Sequence, residues 1–553
     1  MDFDICGKFC YTHVMNRLSP IVIQPQPCPA VCDEAEIAER HQEFLGDESR
    51  VRAEKISALY FPRSAAETSG ALQEIAQHGR RCVFSGGRTG IAAGAVPLEA
   101  EAVISFAHMK RLLAFGCDRG EYYVRVEPGL TLRDLMSRLE HKDVANLPEA
   151  TADEAEAAVA FMARTDLRLW LPVDPTEQSA QIGGAVATNA SGSRSYRYGA
   201  MRSWVRGLAL VLADGRLLRL RRGQVNADGC NFILAAAGGG EVAIQLPEMH
   251  MPAAKCNAGY FLQPGMDAID LFIGSEGTLA AIVEIELRLA PRPPAMIGVL
   301  ALVADEDKAL SLVEAAQNLS GFPLQALEYF DHDTLALLRQ KKKDDGAGSA
   351  IPDLPFWEGE ALYFELSGSA KELDAGCEKL EYLLASVDSS LEQTWAATDE
   401  AGIERQKIFR HAAPETINLH ISRLASRVRG LHKIGTDMAV PRSALRKMFG
   451  VYRSGLTRSG LASAIFGHIG DSHVHVNILP NNLHELQKAK ELYAQWAAEA
   501  VRLGGSVAAE HGIGRLKKNL LAIQYPPPVL EGMRRLRSAF DPQGILAPGV
   551  MLP

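Results

Sequence analysis

Gln181-Ile182-Gly183-Gly184-Ala185-Val186-Ala187-Thr188-Asn189-Ala190-Ser191-Gly192-Ser193 keeps its side chains small for over a dozen positions, with Thr188, Asn189 and Ser193 as polar exceptions. Small residues let another surface lie directly against the backbone. A large flat ligand explains that composition; close helix packing or a flexible linker competes with it. The linker reading fits poorly, because Pro172 and Pro175 bracket the stretch on one side and Arg197-Tyr198-Gly199 on the other. A second segment, Ser85-Gly86-Gly87-Arg88-Thr89-Gly90 with Gly94 beyond, follows a strand-like run at Arg81–Phe84. Its successive N–H groups can face a phosphate, and Arg88 and Thr89 add donors. No Gly-Lys-Ser/Thr follows, so it is not a P-loop. Gly238-Gly239-Gly240 runs into Pro247 without a helix and reads as a turn.

The chemistry concentrates further along, in Gly467-His468-Ile469-Gly470-Asp471-Ser472-His473-Val474-His475-Val476-Asn477 and in Glu510-His511. A strand alternates its faces, so His473, His475 and Asn477 can point the same way. His468 stands seven positions before His475, on the opposite face of a straight strand. Gly470-Asp471-Ser472 reads as a turn or bulge that brings both back to one site. Two His and one Glu form an open catalytic metal set. The competing reading is a polar turn with core-capping histidines.

At 553 residues the chain needs several cores, and 47% apolar with 23% charged residues is the make-up of a soluble globular protein. A net charge of -9 argues against nucleic acid or an anionic membrane as main partner. No apolar run is long enough to span a membrane. The first residues carry no basic, then apolar, signal pattern. Nine cysteines suit reduced thiols and a cytoplasmic setting. Cys6, Cys10, Cys28 and Cys32 form two Cys-x3-Cys pairs in a Pro-rich tract, read as a loosely ordered arm in preference to a metal site. Helices are expected near 65–78, 131–139, 149–170, 308–317, 370–387 and 483–502. Strands are expected near 103–105, 122–126, 205–212, 217–220, 282–289, 297–303, 362–365 and 464–466. Lys341 to Gly346 reads as a solvated loop tip, and Ala290-Pro291-Arg292-Pro293-Pro294 as a domain boundary. The fold class is α+β.

Taken together these segments resemble the FAD-linked D-2-hydroxyacid dehydrogenases, the D-lactate, glycolate and D-2-hydroxyglutarate dehydrogenases that share the vanillyl-alcohol-oxidase-type FAD fold. The resemblance runs in order over about residues 55–553. Lys255, Gly259-Tyr260, Gly274-Ser275-Glu276-Gly277-Thr278-Leu279 and Phe540-Asp541-Pro542 to Pro548-Gly549 add further family signatures. It implies a PCMH-type FAD-binding domain of two α+β subdomains at 55–294 and an α+β substrate (cap) domain with an antiparallel sheet at 295–520. A C-terminal segment at 521–553 would return to the FAD domain, and an arm with a short helix would fill 1–54.

By the same resemblance, non-covalent FAD lies against Ser85, Gly86, Gly87, Arg88, Thr89, Gly90, Pro175, Gly183, Gly184, Thr188, Asn189, Gly192, Ser193, Tyr198, Gly199, Glu276, Gly277 and Ile282. His468, His475 and Glu510 hold a divalent metal, zinc by preference. His511 is the base, Asn477 touches substrate, and Arg410 and Lys433 take its carboxylate. The implied reaction oxidises a D-2-hydroxy acid (D-lactate-like) to the 2-oxo acid with hydride transfer to flavin. Electrons would pass to a quinone, a cytochrome, an electron-transfer flavoprotein or oxygen. A homodimer and a peripheral place at the inner membrane are compatible with it. Two departures stand out: the family's Gly-Asn is Ser472-His473 here, and the Asn of its C-terminal Asn-Pro-Gly is Ala547. His473 thus adds an imidazole, as a fourth ligand, a second base or a packing group. Two other readings remain: a zinc hydrolase built on His468, His475 and Glu510, and a flavin-bearing subunit of a larger electron-transfer complex.

Overall fold

A computed structural model describes residues 16–353 and 357–552. Its largest sheet has seven strands, all antiparallel, in the order Thr394–Ala397, Ala295–Val303, Glu360–Gly368, Leu324–Phe330, Ser463–Gly467, His475–Ile478 and Ile434–Gly435. Helices Glu306–Asn318 and Ala370–Ala385 pack on strands 295–303 and 360–368, as do His332–Asp345 and Glu400–Ala425 on strands of the same sheet. Helices on a sheet bury its strands, and Leu324–Phe330 is buried at every position. Polar residues survive in that run only with partners, and Glu328 is the one that matters below.

The helices start where the sequence supplies caps. Asp331 accepts from the Thr334 amide at 2.9 Å, and Ser369 with Glu372 closes a reciprocal capping box. Residues 341–345 are not a loop tip. They form the last turns of helix His332–Asp345, where Lys341 pairs with Asp345 one turn on, and Gly346 with φ 63° ends the helix.

A second region holds two larger sheets beside two small ones. One is antiparallel: Leu217–Arg221, Val205–Val211, Ala281–Arg288, Glu121–Val126 and Leu112–Asp118. The other joins Leu59–Tyr60, Ala102–Ser105 and Cys82–Ser85 in parallel, with Ala30–Val31 antiparallel at its edge. Residues 17–31 therefore do not form a loose arm. Arg17–Leu18 pairs with Ile233–Leu234, and Ile21 bridges Leu217. Open sheet edges offer unpaired amides and carbonyls, which these short strands satisfy. Cys28 and Cys32 carry free thiols, whereas Cys6 and Cys10 lie outside the described residues.

After helix Pro527–Phe540 the chain returns to this parallel sheet, where Leu546 bridges Cys82 and the Ala547 amide donates to the Cys82 carbonyl at 2.7 Å. The loop that precedes helix Lys518–Gln524 is fastened as well. Arg515 bonds Glu101, with only 6% and 0% of their side-chain surfaces exposed. Removing one member of a buried pair strands the other charge in a dry interior. Arg515→Met should therefore lower unfolding stability by about 3–5 kcal/mol in a urea titration.

Candidate active site

The loop Ser85–Gly90 faces the helix Ile182–Ala187. A Cβ built on Gly86 would stand 3.7 Å from the Gly184 Cα, and one on Gly87 only 3.0 Å from the Ser179 carbonyl oxygen. At Gly87 a side chain would crowd the backbone that leads into the helix, whereas at Gly86 it would make ordinary contact. Gly90 and Gly184, in contrast, border open space. Ser85 Oγ and Gln181 Oε1 are buried without hydrogen-bond partners. The amides of Gly87 to Gly90 donate to no acceptor among the described residues. Buried polar groups are nearly always paired, so this cradle has the donors and the room for a phosphate-bearing ligand. Arg88, Asn189 and Glu276 take left-handed φ values of 57°, 47° and 53° around it. Such strain in non-glycine residues collects at binding sites.

The other residues named from sequence divide by what they touch. Thr188 Oγ1 donates to the Gly184 carbonyl at 2.9 Å, and the Pro175 carbonyl accepts from Gln178 at 2.9 Å. A Cβ on Gly183 would meet Pro128, and one on Gly192 the Asp174 carbonyl. Ser193 Oγ donates to Asp174 at 3.0 Å, and the Tyr198 hydroxyl accepts from Gln325 at 3.0 Å. Gly199 ends the short helix Ser195–Tyr198, Gly277 abuts the Phe84 ring, and Ile282 is buried in strand Ala281–Arg288. Glu276 turns its carboxylate to the amides of Ile513 and Gly514.

Beside this cradle stands the imidazole cluster. Gly467 ends one strand; residues 469–471 make a tight turn; Ser472 takes φ 53°; and His475 begins the next strand. The turn thus returns His468 to the side of His475, with ring centroids 5.7 Å apart. Glu510 Oε1 lies 3.5 Å from the Nε2 of both His468 and His475 and 3.4 Å from His511 Nε2. Ligand atoms of His468, His475 and Glu510 all fall within 4.8 Å of one another, the spacing of a metal site. Asp437, His475 and His511 form a second such group, sharing His475. The donor set, two imidazoles and a carboxylate, suits a zinc-like cation.

The imidazoles of His468, His475 and His511 are oriented from behind. His468 Nδ1 is 3.0 Å from Glu328 Oε1, and His475 Nδ1 is 3.0 Å from the Thr436 carbonyl. His511 Nδ1 lies 3.4 Å from Asp437 Oδ2. Asp437 also accepts the amides of Glu510 and His511 and the Lys517 ammonium, at 3.2, 3.1 and 2.7 Å. Such outer partners fix ring tautomer and direction. Sequence reading missed Glu328, yet the register contains it: Tyr329 pairs with Gly467, so the next rung sets Glu328 beside His468. Asp437 and Lys255 gave no spacing signal.

The electrostatics follow from burial against charge. Burial opposes ionisation of Glu510, but Lys255 and His468 outweigh it and hold the carboxyl well below its usual range. Glu328 sits at about 2, because Arg410 and His468 overcome its burial. His468, between two carboxylates, is driven up to about 10 against its own burial. Burial lowers His475, so His468 carries the proton of the pair. His473 has no exposed side-chain surface, and burial pushes it down to about 3. Its Nε2 lies 3.2 Å from Asp437 Oδ1, but neither ring nitrogen finds a hydrogen-bond direction.

Arg410, on helix Glu400–Ala425, donates to Glu328 Oε2 at 3.1 Å and to Ser193 Oγ at 2.8 Å. Lys433 Nζ donates to Asn477 Oδ1 at 2.9 Å; burial, then the charge of Arg50, brings it down to about 8. The cradle and the cluster meet at two contacts. Ser191 Oγ donates to Glu510 Oε2 at 3.2 Å. Lys255 donates to the same oxygen at 2.8 Å and to Ser195 Oγ at 3.0 Å.

Residues 56–157 and 157–221 match the family model of an FAD binding domain, and residues 292–551 that of the C-terminal domain of FAD linked oxidases. Glycolate oxidase subunit GlcD of Bacillus subtilis is 27% identical over 89% of this chain and 88% of its own. The probable mitochondrial D-lactate dehydrogenase of Danio rerio is 28% identical over 92% and 86%. D-2-hydroxyglutarate dehydrogenase of Stutzerimonas stutzeri is 27% identical over 89% and 90%. Among solved structures, p-cresol methylhydroxylase superposes with TM-score 0.62 at 15% identity over 94% of this chain and 93% of that one. 4-Ethylphenol oxidase of Gulosibacter chungangensis gives TM-score 0.60 at 16% identity over 95% and 94%. These two share the vanillyl-alcohol-oxidase-type fold.

A cation entering the cluster must displace the proton held on His468, so binding releases a proton and tightens as pH rises. Zn2+ affinity, read by competition with a coloured chelator, should rise about tenfold per pH unit between about pH 6.5 and 8.5. Glu328→Gln should flatten that slope and weaken binding about 10–100-fold.

Proposed function

We propose a reaction for a chain that belongs to the FAD-linked D-2-hydroxyacid dehydrogenase family: oxidation of a D-2-hydroxy acid to its 2-oxo acid. The observation that carries this reading is the junction of cradle and cluster, where Ser191 and Lys255 both bond Glu510. Residues 55–294, with 521–553 returning to them, would form the flavin unit, and 295–520 the substrate unit. The orphaned Ser85 and Gln181 atoms, the free amides of Gly87 to Gly90 and the space at Gly90 and Gly184 support FAD in the cradle. No His or Cys stands in these loops to attach it, which supports non-covalent binding. His468, His475 and Glu510 would hold a divalent cation. When bound, FAD supplies a two-electron acceptor for the substrate α-hydrogen, and the cation a Lewis acid for its hydroxyl oxygen.

The chain's own groups do the rest. Lys433 and Arg410 draw the substrate carboxylate, an ammonium point charge and a planar guanidinium. Asn477 keeps Lys433 aimed through their 2.9 Å bond. Asp437 beside His511 Nδ1 leaves Nε2 as the nitrogen that takes the hydroxyl proton. Lys255 holds Glu510 Oε2 and so turns Oε1 toward the imidazoles.

Dye reduction across a panel of D- and L-2-hydroxy acids tests the reading; turnover of the L series alone, or of none, would sink it. The protein should be yellow and release all its FAD on acid denaturation. His511→Ala should slow flavin reduction by about 10²–10⁴-fold in stopped flow while FAD and metal contents stay near wild type. A variant that loses metal and recovers when metal is added would make His511 a mere support of Glu510. Gly184→Leu fills open space, so the apoprotein should fold normally yet carry little FAD by absorbance.

A further inference from the structure

Glu276 stands between the cradle and the loop that bears Glu510 and His511. Its amide donates at 2.8 Å to the carbonyl of Ala187, the last residue of the small-residue helix. Its carboxylate reaches the other way: Oε1 accepts the Ile513 amide at 2.8 Å, and Oε2 the Gly514 amide at 2.7 Å. Both oxygens are therefore engaged by one stretch of backbone, and neither is left for a ligand in the cradle as its first hydrogen bond. The residue holds this pose at a left-handed φ of 53°.

The loop it grips has no slack. A Cβ on Gly512 would come 2.7 Å from Glu276 Oε1, and one on Gly514 2.0 Å from the Ala92 carbonyl oxygen. The Arg515 amide donates to that same carbonyl at 2.8 Å, and the Met551 amide to the Gly514 carbonyl at 2.8 Å. Glu276 is thus the side chain that joins the backbone of the cradle helix to the backbone just beyond His511.

We propose that Glu276 is a positioning residue that sets the separation between the flavin cradle and the catalytic loop, and that it does not bind the cofactor. The proposal rests on the reading of Glu510 and His511 as working residues. Glu276→Gln keeps the shape but turns one acceptor into an NH2 group facing an N–H donor. Flavin reduction at saturating substrate should fall about 10–100-fold with KM within about twofold, and Zn2+ affinity of the protein should fall in the same range. FAD should remain stoichiometric. A variant that loses FAD would make Glu276 a cofactor residue and overturn the proposal, as would unchanged reduction together with unchanged Zn2+ affinity. Should Glu276→Gln fail to fold, hydrogen exchange of the wild-type holoenzyme decides: protected Ile513 and Gly514 amides support the anchor, and exchange as fast as in exposed loops overturns it. If no 2-hydroxy acid reduces the wild-type flavin, the proposed reaction falls, while Zn2+ affinity and amide exchange still judge Glu276.

Discussion

Glu510 turns one carboxylate oxygen to His468, His475 and His511 and the other to Lys255 and Ser191. A carboxylate buried this deeply loses several kcal/mol of hydration, and only a surround of donors keeps it ionised. The surround comes from both halves of the molecule. Lys255, Ser191 and Ser195 arrive from the side of the Gly-rich helix, His468 and His475 from the seven-stranded sheet, and His511 from the loop that bears Glu510. Closing the two halves and neutralising Glu510 are therefore the same event. Asp437 repeats the principle one layer back, holding the main chain at 510 and 511 while it faces the rings of His473 and His511.

Much of this was legible in the residues, and the pattern of what was not is instructive. Glycines announce themselves by type, since a run of them signals close backbone approach: a Cβ on Gly87 or Gly192 would crowd the Ser179 or the Asp174 carbonyl. His468 and His475 were legible for a similar reason, since one turn of sequence decides whether they converge. The helix start at Ser369 follows from a neighbour three residues away, whereas the helix after Asp331 went unread although its cap is just as local. Lys341 to Asp345 misled because charge alone resembles a loop; the i,i+4 pairing and the leucines of the preceding turns decide for helix. Glu328 and Asp437 carry no local mark, and Lys255 stood among the family signatures without a role. Each is one polar residue whose partner is supplied by strand order or by a distant loop, and Glu328 becomes visible only once the Tyr329–Gly467 register is known.

The sheet explains why such a site can be both polar and precise in its geometry. Strand Leu324–Phe330 is buried at every position, and among the described residues Glu328 is held by Arg410 and His468. Arg410 in turn reaches Ser193 across the seam. Rings fixed by such partners cannot drift, and a site whose groups are already oriented spends nothing on orienting them when substrate arrives. His473 is the exception. Its ring is enclosed without a hydrogen bond, where Asn stands in the resembling family, and burial, helped by the charges of His475 and Lys255, keeps it neutral.

The bridge from Cys82 to Leu546 has a consequence in time. Its partners are 546 − 82 = 464 positions apart, nearly the whole chain. Contacts so distant in sequence form slowly, because a long loop must close before they reward it. Until residues 545–547 arrive, the strand that leads into the Gly-rich loop has one edge open. The sheet edge beside the cradle loop is thus closed by a contact of long sequence separation, which sets it among the slower steps of folding.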